Sequence, residues 1–96
     1  MKTPVINTAD YIVYVEIVQG SLVFIHMDVL KWNKTVKQSF LKDWFEWASQ
    51  QSEPLYAMPF IDDAKMDKWA SLCGFKLFQM HQCTDGVIRK LYKWSN

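Results

Sequence analysis

Glu16, His26 and Asp28 are the side chains best suited to acid–base chemistry. They fall on two neighbouring strand-like runs that a hairpin would bring to facing positions, and an imidazole oriented by a carboxylate is the usual construction of a general base. A polar sheet face open to water would produce the same letters, because alternation alone places polar residues at every second position. His81 and Cys83, two apart on one strand face, could both reach a zinc ion. Two ligands do not make a site, so the expectation for metal is none, and the competing reading is a buried thiol beside a partly exposed imidazole. Arg89, Lys90 and Lys93 interleave with Tyr92 and Trp94, a pattern that can stack on and neutralise single-stranded nucleic acid. An amphipathic terminal strand explains it equally, since residues 89, 91 and 93 face opposite to 90, 92 and 94.

These residues depend on a small set of elements. Tyr11 to Val18 is β-branched and aromatic with one charge, Gln19-Gly20-Ser21 supplies a turn, and Leu22 to Val29 returns, which predicts a hairpin. After Trp32 the period changes. Val36, Phe40, Leu41, Trp44, Trp47 and Ala48 recur at three- and four-residue steps, predicting a helix from residue 35 or 36 to about Gln50, with Thr35 and Gln38 as a capping box. Leu55 to Met58 reads as a short strand ended by Pro59. Asp62 or Asp63 is placed to cap a second helix whose buried stripe is Met66, Trp69, Ala70 and Cys73, with Gly74 as its left-handed stop. Phe75 to Cys83 and Val87 to Trp94 then form a closing hairpin around Thr84-Asp85-Gly86. The long helix is a sufficient crossover to make the second and third strands parallel. The fold class expected is α+β, a single mixed sheet of about five strands in the order ββαβαββ with two amphipathic helices, forming one domain over 1–96 with its core at 11–94.

Composition narrows the function classes. Ninety-six residues support one core, and 50% hydrophobic with 16% aromatic content argues against disorder. A formal charge of +1 gives little long-range pull on polyanions, so nucleic acid is a disfavoured partner. No apolar run approaches the roughly 20 residues needed to cross a bilayer, and Met1 to Asp10 lacks the apolar stretch of a secretory signal, so no membrane partner and a cytoplasmic location are expected. Two cysteines without a close pair suit a reducing compartment.

The order ββαβαββ, with Gly74-Phe75 closing the second helix, resembles the core of the GNAT superfamily of N-acetyltransferases. That resemblance implies a site for acetyl-CoA between the two parallel strands, with pyrophosphate on backbone amides where the connecting helix opens. It assigns Met27, Val29, Leu30, Asn33, Lys34, Lys37 and Met58 to cofactor binding. His26, supported by Glu16 and Asp28, would be the base that takes a proton from an acceptor amine. The family's loop runs Gln or Arg, two residues, Gly, one residue, Gly or Ala. The matching segment here, Trp32-Asn33-Lys34-Thr35-Val36-Lys37-Gln38, contains no glycine, so side chains stand where backbone should approach phosphate. The family's general-acid tyrosine falls on Ala70, and its asparagine on Asp63.

The expectation is therefore a GNAT-like protein with a degenerate acetyl-CoA site, working without a cofactor as a protein-interaction module. It resembles compact GNAT-like chains among bacteriophage accessory proteins, which would place it in the host cytoplasm with a protein partner or a second copy of itself. The abundance of tryptophan and phenylalanine in so short a chain supports such a contact surface. A small acetyl-CoA-dependent N-acetyltransferase is the alternative, and a nucleic-acid-binding domain the second.

Overall fold

A computed structural model describes residues 1–59 and 64–95. Its elements, in chain order, are β1 (Lys2–Asn7), β2 (Tyr11–Val18), β3 (Leu22–Val29), α1 (Lys34–Ala48), β4 (Leu55–Ala57), α2 (Ala64–Leu72), β5 (Lys76–Gln82) and β6 (Ile88–Trp94). Among the described residues, six strands join one sheet in the order β1-β2-β3-β4-β6-β5, in which only β3 and β4 are parallel. The fold is α+β with a single mixed sheet and two helices. The hairpin predicted over 11–29 forms with the expected bounds, and the β3–α1–β4 crossover is parallel as a helix-length connection requires.

One strand was not anticipated. Lys2–Asn7 pairs antiparallel with β2, making six strands where about five were expected. Its proline hid it: Pro4 donates no ladder hydrogen bond, which restricts it to an edge, and the register slips between Pro4 and Ile6. The helix start is also corrected. Asn33, in extended conformation (φ −157°), is the N-cap, and its Oδ1 accepts from the Val36 amide at 2.9 Å. Thr35 lies inside the helix instead of capping it, because a side-chain carbonyl two positions earlier already satisfies the third amide. The proposed caps of α2, Asp62 and Asp63, lie outside the described residues.

Both helices pack on one face of the sheet. Val36, Phe40, Trp44 and Ala48 of α1 are buried against Tyr11, Val13 and Leu55, while Ala70 and Cys73 of α2 join the same cluster with Phe75, Tyr92 and Trp94. Trp44 is the hub. Its ring stacks with Phe40 and Phe75 (centroids 6.5 and 5.6 Å) and meets Trp94 edge-on at 6.4 Å, and its Nε1 donates to the Cys73 carbonyl at 2.7 Å. Tyr11 reaches from β2 to α1, donating its hydroxyl to Asp43 Oδ2 at 2.6 Å; burial, then this carboxylate, raises its pKa. Asp67 ties α2 to β6 by accepting from the Tyr92 hydroxyl and from Lys90 Nζ at 3.1 Å.

Gly74 ends α2 in the left-handed region (φ +88°) with a Schellman pair: Phe75 N–H donates to Ala70 O at 2.9 Å and Gly74 N–H to Ser71 O at 3.0 Å. A Cβ at Gly74 would lie 3.0 Å from Trp94 Nε1, whereas at Gly86 (φ +83°), in the β5–β6 turn, it would meet nothing within 4 Å. Gly86→Ala therefore incurs backbone strain alone, about 1 kcal/mol, while Gly74→Ala adds a clash with the core and should cost about 2 kcal/mol or more. Equilibrium urea unfolding of the two variants checks the difference. A pH series tests Asp67, whose pKa is lowered by the Tyr92 hydrogen bond and then by Lys90. A carboxylate depressed in the folded state contributes stability above its unfolded value and loses it as pH falls through the folded value. The melting-temperature gap between wild type and Asp67→Ala is thus expected to be full at neutral pH and to narrow once pH drops below the ordinary carboxylate range.

Candidate functional site: a cleft between two diverging strands

β3 and β4 share a ladder at only two positions, Val23–Leu55 and Phe24–Tyr56. β3 continues to Val29, but β4 stops at Ala57, two residues before Pro59, so the strands part company beyond Phe24. A cavity of about 460 Å³ opens where they diverge, within the range of small-molecule pockets. Val13, Ile25, Met27 and Val29 form its sheet wall, and Ala57, Met58 and Pro59 the opposite strand end. Its floor is helical: Phe40 and Trp44 from α1, and Met66, Trp69, Ala70 and Cys73 from α2, with Phe75 behind them. Every α2 residue predicted for the buried stripe thus borders a void.

His26 and Cys73 are the titratable residues along the cleft, but the β2–β3 register turns the His26 side chain to the sheet face opposite Val13, Ile25 and Met27. Burial pushes the Cys73 thiol up to about 12, so it stays protonated and unreactive at neutral pH. His26 lies on β3 with its Nε2 2.8 Å from Glu16 Oε1, the pairing expected from the hairpin. Asp28 shares that strand face but stands beside Tyr14, whose pKa is raised by desolvation and then by this carboxylate. The three residues therefore occupy one face, with His26 and Glu16 coupled and Asp28 engaged separately.

The predicted cofactor residues divide. Met27, Val29 and Met58 line the cleft. Leu30 does not; it is exposed, and its amide donates to the Asp10 carbonyl at 2.8 Å. Asn33 is used as the cap of α1, and Lys34 and Lys37 are exposed on its first two turns. Trp32, just before them, packs edge-on against Trp69 at 5.1 Å and against Phe40 at 6.1 Å, bridging the two helices. The first turn of α1 contains no acidic residue and the last no basic one. Its lysines stand at the positive end of the helix dipole, each unfavourable by roughly 0.3–1 kcal/mol unless an anion is near.

The other clusters are otherwise occupied. Arg89 forms a two-pronged pair with Asp85 (3.1 and 2.9 Å), Lys90 binds Asp67, and Lys93 Nζ lies 4.9 Å from the centre of the Phe78 ring. Tyr92 and Trp94 are buried in the core, so they offer no face for a base to stack on. His81 is exposed, while Cys83 places its Sγ 3.9 Å from Met58 Sδ. Among the described residues no group of three or more His, Cys, Asp or Glu could hold a metal, and no helix is long and apolar enough to cross a membrane.

Compared with protein-family models, with curated proteins and with solved structures, the chain finds no match in any of the three. The two thiols give a direct check on the cleft. One equivalent, Cys83, should react with a thiol reagent in the native protein, and Cys73 only after urea is added, as counted by absorbance and located by peptide mass.

Proposed function

We propose that the chain is a GNAT-like interaction module that keeps an apolar cleft between its parallel strands but has lost the cradle for a nucleotide's phosphates. The observation that carries this reading is the mouth of α1. Asn33 Oδ1 already occupies the Val36 amide, Trp32 is packed against Trp69, and no glycine lies between residues 29 and 38 to let a pyrophosphate approach the main chain. The general-acid position falls on Ala70, which is buried and has no proton to give. What remains is an apolar recess of about 460 Å³ suited to an inserted apolar group. The GNAT likeness rests on element order, on the parallel β3–β4 pair and on the divergence between them.

A second reading, a small N-acetyltransferase, is favoured by two specific features. The His26–Glu16 pair at 2.8 Å supplies a carboxylate-oriented imidazole on β3, on the sheet face opposite the cleft's β3 wall, and Lys34 and Lys37 leave the start of α1 without a compensating anion.

Calorimetric titration with acetyl-CoA separates the two. The module reading expects no heat and no thermal shift. Micromolar binding that is abolished by Lys34→Glu with Lys37→Glu would replace it with the enzyme reading. That reading in turn requires a one-acetyl mass gain on an acceptor amine, lost in His26→Ala.

A further inference from the structure

We propose that β5 is the interface of a two-fold dimer in which the sheets of two copies join edge to edge. The inference is independent of what fills the cleft.

The two edges of the sheet are unlike. β1 is guarded by Lys2 and by Pro4, devices that discourage strand addition. β5 is seven residues long, exposed throughout, without proline, and carries one formal charge, Lys76. Around it Leu77, Phe78, Met80, Val87 and Ile88 are each between 48% and 61% exposed. Long apolar edges of this kind are rare in natural sheets unless something pairs with them.

The strand is complementary to itself. Leu77 lies opposite Tyr92 and Met80 opposite Lys90, so the bulge between Leu77 and Gln79 brings Leu77 and Met80 to the same, helix-bearing face despite their three-residue spacing. Gln79 lies opposite Leu91 on the other face, where the Phe78 ring meets Tyr56 at 6.2 Å. The bulge re-phases the strand to suit a two-fold axis between residues 78 and 79. Antiparallel pairing about that axis sets Leu77 against the partner's Met80, Phe78 against the partner's Gln79 and Lys76 against the partner's His81. Each pair then shares a face, and the two Lys76 side chains lie at opposite ends. No other antiparallel offset within the strand matches all three pairs, because the bulge makes every shift of one residue oppose unlike faces. Pairing covers Leu77, Phe78 and Met80, each about half exposed, and satisfies the free backbone groups of the edge strand. Pairing removes the unguarded edge of each copy and leaves a guarded β1 at both ends, so assembly closes at two.

Light scattering after gel filtration should give twice the 11.4 kDa chain mass for the wild type. Leu77→Lys with Met80→Lys, at exposed positions, should give the single-chain mass with an unchanged circular dichroism spectrum. In a Cys83→Ser background, Leu77→Cys with Met80→Cys should form an intermolecular disulfide under mild oxidation, while Lys2→Cys at the other edge should not. A wild type that is a monomer up to millimolar concentration would overturn the proposal. So would a dimer that survives the two lysines and gives no 77–80 cross-link, or a β5 edge that pairs only with a different protein.

Discussion

The buried indole of Trp44 is the constraint on which the rest of the structure depends. It is 1% exposed, and its Nε1 donates to the carbonyl of Cys73, at the C-terminal end of α2. That single bond joins the middle of one helix to the stop of the other. An indole donor enclosed this far from water must have a partner, and the Schellman turn at Gly74 presents that carbonyl in the right place. The rings of Phe40, Phe75 and Trp94 close around the same indole, so α1, the start of β5 and the end of β6 share one packing centre. Removing a side chain of this size and burial ordinarily costs about 3–5 kcal/mol, a large share of the stability of a domain this small.

That packing has a geometric consequence for the sheet. α1 and α2 are drawn together beneath one face, with Phe40 and Trp69 stacked at 4.9 Å. β4 is only three residues long, and β3 outruns it. The helices therefore roof a stretch where the sheet has no strand to offer, and the gap becomes the cleft. The cleft is apolar because the residues that border it are the same ones whose periodicity directs the helices inward.

Electrostatics act around this frame without building it. The ion pairs of Asp85 with Arg89 and Asp67 with Lys90 lie at the rim, each with one partner about half exposed, where such pairs contribute little. Their value is positional: the first closes the β5–β6 turn, the second pins α2 to β6. The His26–Glu16 pair is different, since it joins neighbouring strands β2 and β3 on the sheet face opposite the helices.

Much of the fold was legible because local rules and global packing agree. The hairpin over 11–29, the stripes of both helices, the glycine stop at 74 and the Asp-Gly turn were read from period and turn chemistry alone. Alternation put Glu16, His26 and Asp28 on one hairpin face, while the register, with His26 opposite Tyr14 and Glu16 opposite Phe24, decided that Glu16 reaches His26 diagonally. β1 escaped because Pro4 reads as a breaker, and its tolerance depends on an edge position that sequence does not reveal. Asn33 was assigned to a cofactor because its capping role depends on where the helix begins, a boundary that a one- or two-residue shift changes.

Side-chain order along the chain therefore determined which segments are strands and helices, which faces they bury and where they stop, since each follows from spacing and backbone preference within a few residues. Only the tertiary structure decided that β3 and β4 separate after two shared positions, that the Met66–Cys73 stripe borders a void, and that β5 is left as an open edge. Those are properties of how far elements distant in sequence approach one another, and no local pattern encodes that distance.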